Sequence, residues 1–76
     1  MFENVRAEMA RNGYTNKDVA KELGISEWAF GQKLNGYSQF KLDEMAKIRQ
    51  LLKNNLSIEY LFFADSIRGG ANAATN

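Results

Sequence analysis

Hydrophobic residues recur at helical spacing along most of this chain, in short segments separated by glycines and small polar residues. In the first segment, Phe2, Val5 and Met9 mark an inward stripe with Ala10 beside it, which predicts a helix over 2–12.

The segment 15–36 is the most informative, because local chemistry accounts for nearly every helix boundary in it. Thr15 is a good N-cap, and Asp18 three residues later gives a variant of the capping box. Gly24 stands where a helix C-terminus favours a left-handed residue, and Ser26 can cap the next helix. Two helices this short with so brief a turn must cross steeply. The pattern therefore predicts a helix-turn-helix whose second helix projects from the domain.

Within that second helix, Phe30 and Leu34 lie one turn apart on the inward face, and Gly36 closes the segment. The residues 37–41 show no periodicity and are interpreted as a loop.

A fourth, longer helix is predicted over 42–54, and a short fifth helix follows with Ser57 as its cap. The apolar residues expected to face inward from these two helices are Leu42, Met45, Ile48, Leu52, Ile58, Leu61 and Phe62. After Ile67 the residues are small and polar, which predicts a disordered tail at 68–76. The expected architecture is one all-α domain of five helices at 1–67.

Composition excludes several kinds of chemistry. The chain has no Cys and no His, so disulfides, thiolate nucleophiles and imidazole bases are impossible and no metal site is expected. Without a Gly-rich phosphate loop or an inward carboxylate pair, we expect neither an enzyme nor a cofactor. No apolar run is long enough to span a membrane and the N-terminus is not a signal peptide, which predicts a cytoplasmic protein.

The net charge is only +1, so charge alone does not indicate a nucleic-acid partner. Four lysines nevertheless fall in or just after the helix-turn-helix: Lys17, Lys21, Lys33 and Lys41.

In this arrangement the chain resembles the phage repressor and Cro-type DNA-binding proteins, also called the xenobiotic-response-element family. Thr-Asn at 15–16, Val-Ala at 19–20 and Leu-Gly-Ile-Ser at 23–26 resemble the opening, core and turn of that family's motif. Leu-Asn-Gly at 34–36 resembles the end of its third helix, and 42–62 resembles its last two helices.

The resemblance implies a compact lambda-repressor-like domain that binds double-stranded DNA and regulates transcription, as phage or mobile-element proteins do. It implies a two-fold homodimer with the third helices in successive major grooves about 34 Å apart. Repression is favoured because occupancy of a promoter is enough to repress.

The family's docking mode assigns two groups of backbone contacts. Asn16 and Lys17 would hold a phosphate at the start of the second helix, whose backbone amides also suit an anion. Asn35, Tyr37 and Ser38 would hold the DNA backbone on the other side of the groove.

Base reading would fall to the third helix. Gln32, which points directly outward on a helical wheel, could pair with adenine, and Ala29 could touch a thymine methyl group. Glu27 and Trp28 lie in the first turn, and Lys33 lies toward one flank, near a phosphate or a guanine.

Three of these positions have other interpretations. Glu27 either reads a cytosine amino group or simply stabilises a helix N-terminus. Trp28 contacts DNA, folds back on the second helix or covers a partner protein. Gly31 indicates close approach to the second helix or to DNA, or has no function.

Tyr60, Phe62 and Phe63 are candidates for a dimer contact, since so small a domain has little room to bury every aromatic ring; alternatively they pack under the tail. The low net charge, Glu27 and Trp28 also suit a different function, a protein-binding adaptor such as an antirepressor or antitoxin.

Overall fold

A computed structural model describes residues 1–52 and 56–64, and in these ranges the chain is all-helical with no β-strand. The elements are α1 (Glu3–Asn12), α2 (Asn16–Leu23), α3 (Glu27–Leu34), α4 (Leu42–Leu52) and a π-helix (Glu59–Phe63). For the described residues, the prediction of an all-α fold with five helices is confirmed. The predicted end of the fourth helix and the predicted disordered tail at 68–76 lie outside the described residues.

The predicted caps of α2 and α3 are confirmed. Asp18 N–H donates to Thr15 Oγ1 at 3.2 Å, and Thr15 N–H donates to the Asp18 carboxylate at 2.9 Å, which completes the capping box. Ser26 Oγ accepts the Ala29 N–H at 3.0 Å. Between the two helices Gly24 has a φ of +73°, a conformation that side chains disfavour. These local bonds hold the two helices within a three-residue turn.

Two predictions for the first helix are wrong. The helix begins at Glu3, because Phe2 adopts a left-handed conformation with a φ of 58°. That conformation is uncommon for a bulky residue, and here it accompanies edge-on contacts of the Phe2 ring with Phe40 and Phe62. Ala10 is exposed rather than beside the buried stripe, and Glu8 is buried instead.

A single hydrophobic core joins all five helices, and α2 packs against both α3 and α4. Its buried apolar residues are Val5, Met9, Val19, Ala20, Phe30, Leu34, Phe40, Ile48, Leu52, Leu61 and Phe62. Phe40 comes from the aperiodic loop, yet its ring lies 5.2 Å from those of Phe2 and Phe62 and 6.0 Å from that of Phe30. The loop is therefore anchored in the core.

The start of α4 differs from the prediction. Leu42 is 77% exposed, whereas Glu44 is 7% exposed and faces inward. Two polar contacts hold Glu44 in this inward position. Its Oε1 accepts the Lys41 N–H at 2.8 Å and lies 3.1 Å from Lys33 Nζ. The first turn of α4 thus turns its capping carboxylate toward α3 and leaves the leucine in solvent.

A polar network ties α1 to the π-helix. Tyr60 Oη donates to the Glu8 carboxylate at 3.0 Å, and Arg11 donates to the same oxygen. Asn4 Nδ2 donates to the Tyr60 carbonyl at 2.7 Å, while Ser57 Oγ accepts the Tyr60 N–H, as expected of a cap. The buried carboxylate is therefore paired, as a group in such a place must be.

This network predicts a loss of stability in acid. The hydrogen bond from Arg11 lowers the pKa of Glu8 below its ordinary value of 4.5, and the bond from Tyr60 adds to the shift. A pKa lowered on folding contributes stability that is complete above 4.5 and is lost as the pH falls through the folded-state value. We expect Glu8→Gln to be less stable at neutral pH and to lose less stability in acid. Urea denaturation across that pH range measures both, and an unchanged acid dependence would contradict the assignment.

Candidate nucleic-acid interface

Helix α3 has one buried face and one face in solvent. Phe30 and Leu34 are fully buried, at 0% and 1% exposure, and fix the rotation of the helix. The opposite arc carries Trp28 and Gln32, which are one turn apart and so lie side by side. A short helix held by its inner face and open on its outer face is a suitable element for contacting another molecule.

Trp28 does not fold back on α2. Its side chain is 73% exposed, and among the large hydrophobic residues that the structure describes only Tyr37 and Leu42 are more exposed. Of the three interpretations of Trp28, contact with DNA and contact with a partner protein remain. Glu27 beside it is exposed as well, and Ala29 is half-buried.

The side-chain amide of Gln32 has no partner among the described residues. Gln32 is half-buried, and none of its amide atoms takes part in a hydrogen bond with another described residue. Across the described ranges no buried side-chain nitrogen or oxygen lacks a partner, so the amide of Gln32 must reach solvent. Its backbone carbonyl is occupied, since it accepts the N–H groups of Tyr37 and Ser38 at 2.9 and 3.3 Å.

Lys33 is placed differently from the prediction. Its ammonium lies 3.1 Å from Glu44 Oε1 and donates to the Gln39 carbonyl at 2.9 Å, and its side chain is only 12% exposed. The lysine thus joins the end of α3 to the start of α4 and closes the loop between them. It is not available for a phosphate or a guanine in this arrangement.

The N-terminus of α2 is partly occupied by its own cap. The N–H groups of Thr15 and Asp18 are both used in the capping box, and the bond from the Thr15 backbone lowers the pKa of Asp18. Asn16 is half-buried and Lys17 is exposed. An anion at this end of the helix could therefore be bound by the backbone N–H groups and side chains of Asn16 and Lys17.

Beyond α3 the structure adds a residue that the sequence analysis missed, Arg6 of α1. Its guanidinium donates to the Asn35 side chain at 2.9 Å and lies 3.4 Å from the Leu34 carbonyl. Because arginine can only donate, the amide oxygen of Asn35 must face it, and the NH₂ group is left to donate elsewhere. Tyr37 and Ser38, which follow, are both exposed. No local sequence signal connects α1 with the end of α3.

Several exposed lysines are free of acidic partners among the described residues. Within residues 1–52 and 56–64, four lysines are exposed and have no carboxylate oxygen within 4.0 Å: Lys17, Lys21, Lys41 and Lys47. Three of them belong to the set that the sequence analysis associated with the helix-turn-helix. Only Lys33 of that set is neutralised inside the protein.

Gly31 provides a test of how open α3 is. A Cβ atom built on Gly31 would have no neighbour within 4 Å, so close approach to α2 does not explain the glycine. We expect Gly31→Ala to raise the free energy of unfolding by up to about 1 kcal/mol, because alanine is the better helix former. Urea denaturation measures the change. A destabilised variant would contradict the open surface seen at this position.

The three candidates for a dimer contact differ in how far they are exposed to solvent. Phe62 is 4% exposed and belongs to the core, so its assignment to a surface contact is wrong. Tyr60 is half-buried with its hydroxyl on Glu8, and Phe63 is 39% exposed. Phe63 is the one of the three that offers an apolar surface.

Comparison with known proteins yields no match to a family model, to a curated protein or to a solved structure. None of the helices in the described ranges is both long and apolar enough to cross a membrane.

Proposed function

We propose that this protein binds double-stranded DNA in a sequence-specific way and regulates transcription, with α2 and α3 acting as a helix-turn-helix. The observation that carries the proposal is the outer face of α3, where Trp28 and the free amide of Gln32 lie side by side in solvent. An eight-residue helix is about 12 Å long. With its side chains it is narrow enough to enter the major groove of B-DNA.

The surroundings of α3 support the same docking. Lys17 precedes it on α2 and Lys41 follows it in the chain, and both are exposed cations without an acidic partner among the described residues. The NH₂ group of Asn35, oriented by Arg6, is suited to a phosphate oxygen. Contacts of this kind would hold the register while α3 reads the bases.

The proposal includes two copies of the chain on one DNA site. Proteins that place a recognition helix in the major groove commonly pair across a two-fold axis, with half-sites one helical turn apart. Phe63 at 39% exposure is the apolar residue of the π-helix available for such pairing. Occupancy of a promoter by the dimer would be enough to repress.

The lysines make the proposal testable through salt dependence. We expect binding to a random-sequence duplex to weaken steeply as salt rises, and Lys17→Ala to reduce the slope of log K against log salt by about 1. Fluorescence anisotropy at several salt concentrations measures this. Lys47→Ala is the matched control, because it removes an exposed lysine from α4, a helix that the proposed interface does not include. Equal effects of the two variants would contradict the docking.

A second function, a protein-binding adaptor, is supported by the same exposed Trp28, since large exposed aromatic side chains are enriched in protein interfaces. It predicts no binding to duplexes at either low or high salt. Salt titration therefore separates the two proposals.

A further inference from the structure

We infer that α3 reads adenine, flanked by a thymine methyl group, and that guanine is excluded from the base position that faces Gln32. The inference rests on the proposed function and narrows the kind of DNA site involved. It comes from the chemistry of the side chains on the outer face of α3, and from the fact that Lys33 is bound inside the protein.

Lys33, the only basic residue of α3, is not available to read a base. Guanine offers two acceptors in the major groove and is read mainly by Arg or Lys. Lys33 is the basic residue of α3, and its ammonium is bound to Glu44 and to the Gln39 carbonyl with 12% of the side chain exposed. Turning it toward DNA would leave the Glu44 carboxylate buried without its cation, which is strongly unfavourable.

The side chains presented suit a different base. Adenine offers one acceptor and one donor in the major groove, and a glutamine amide matches both at once. Gln32 has a solvent-accessible amide with no partner among the described residues. Glu27, exposed at the start of the same helix, can only accept, so it too is unsuited to guanine.

Trp28 adds an apolar contact next to the amide. It lies one turn before Gln32 on the same face and is 73% exposed. Gly31 has open space around it, so the groove can approach the helix closely there. The 5-methyl group of thymine is the apolar feature that bases present in the major groove.

The first test is selection of bound duplexes from a random library, with the wild type and with Gln32→Ala and Gln32→Arg. We expect the wild type to enrich adenine at one position of each half-site, with a preference of roughly 5- to 150-fold over guanine. Gln32→Ala should lose that preference, and Gln32→Arg should replace adenine by guanine. Enrichment of guanine by the wild type at the position that Gln32→Ala alters would overturn the inference and leave the proposed function standing.

Two other outcomes are also decisive. Salt-dependent binding without any enriched base would overturn the inference, because α3 would then read nothing. Absence of binding at every salt concentration would overturn the proposed function and the inference together.

The second test replaces thymine by deoxyuridine in a selected duplex, which removes the methyl group alone. We expect the wild type to lose affinity roughly fourfold per contacted methyl, and Trp28→Ala to be insensitive to the replacement. An equal loss in the two proteins would show that Trp28 does not contact the methyl group.

Discussion

Replacing Lys33 by methionine is expected to lower the free energy of unfolding by about 3–5 kcal/mol, as breaking a buried ion pair generally does. The variant keeps a long side chain but leaves the Glu44 carboxylate, 7% exposed, without its cation. It also frees the Gln39 carbonyl. A domain of this size has a total stability of roughly 4–11 kcal/mol, so the loss should be plain in urea denaturation.

A double-mutant cycle with Glu44→Gln isolates the pair. Glutamine at this position keeps an oxygen to accept the Lys41 N–H and carries no charge. We therefore expect the Lys33→Met, Glu44→Gln double variant to recover part of the stability lost in Lys33→Met. If Lys33→Met is instead as stable as the wild type but binds DNA less well, the lysine contacts DNA, as the sequence alone had suggested.

Replacing Phe40 by alanine is expected to cost a similar amount, about 3–5 kcal/mol, the usual loss for a buried phenylalanine. Its ring is 7% exposed and contacts the rings of Phe2, Phe30 and Phe62. Removing it leaves a cavity where the loop after α3 meets α1 and the π-helix. Thermal and urea denaturation measure the loss.

Tyr37→Ala in the same loop is the matched control, because Tyr37 is 77% exposed. We expect it to change stability by less than about 0.5 kcal/mol, the usual range for surface substitutions. If the two alanine variants were equally stable, Phe40 would not anchor the loop.

The sequence was sufficient to predict the elements whose cause is local. Thr15, Asp18 and Ser26 act within three residues of themselves, and Gly24 acts through its own backbone, so each could be assigned from the chain alone. The same holds for the helical spacing of Phe30 and Leu34, which correctly fixed the rotation of α3 and with it the outward face.

What could not be predicted depends on contacts between distant residues. Phe40 lies in a segment without periodicity, and nothing local indicates that its ring joins the core. Lys33 and Glu44 are 11 positions apart on different helices, so the pairing that removes the lysine from the candidate interface has no sequence signature. Arg6 reaches Asn35 from the first helix for the same reason.

The start of α1 and the start of α4 show one further limit. Spacing assigned Phe2 to a helix and Leu42 to the core, and both assignments are wrong. At a helix end the backbone and the capping groups decide the direction of a side chain, and the helical period does not.

The most direct test of the central claim, that α3 and its flanks are the surface that binds DNA, is a ¹H–¹⁵N NMR titration of the protein with a selected duplex. We expect the largest amide shift changes in α3, at the start of α2 and over 35–38, and smaller changes in the π-helix, where Phe63 is proposed to pair with a second copy. Changes confined to the π-helix, or no changes at low salt, would contradict the claim.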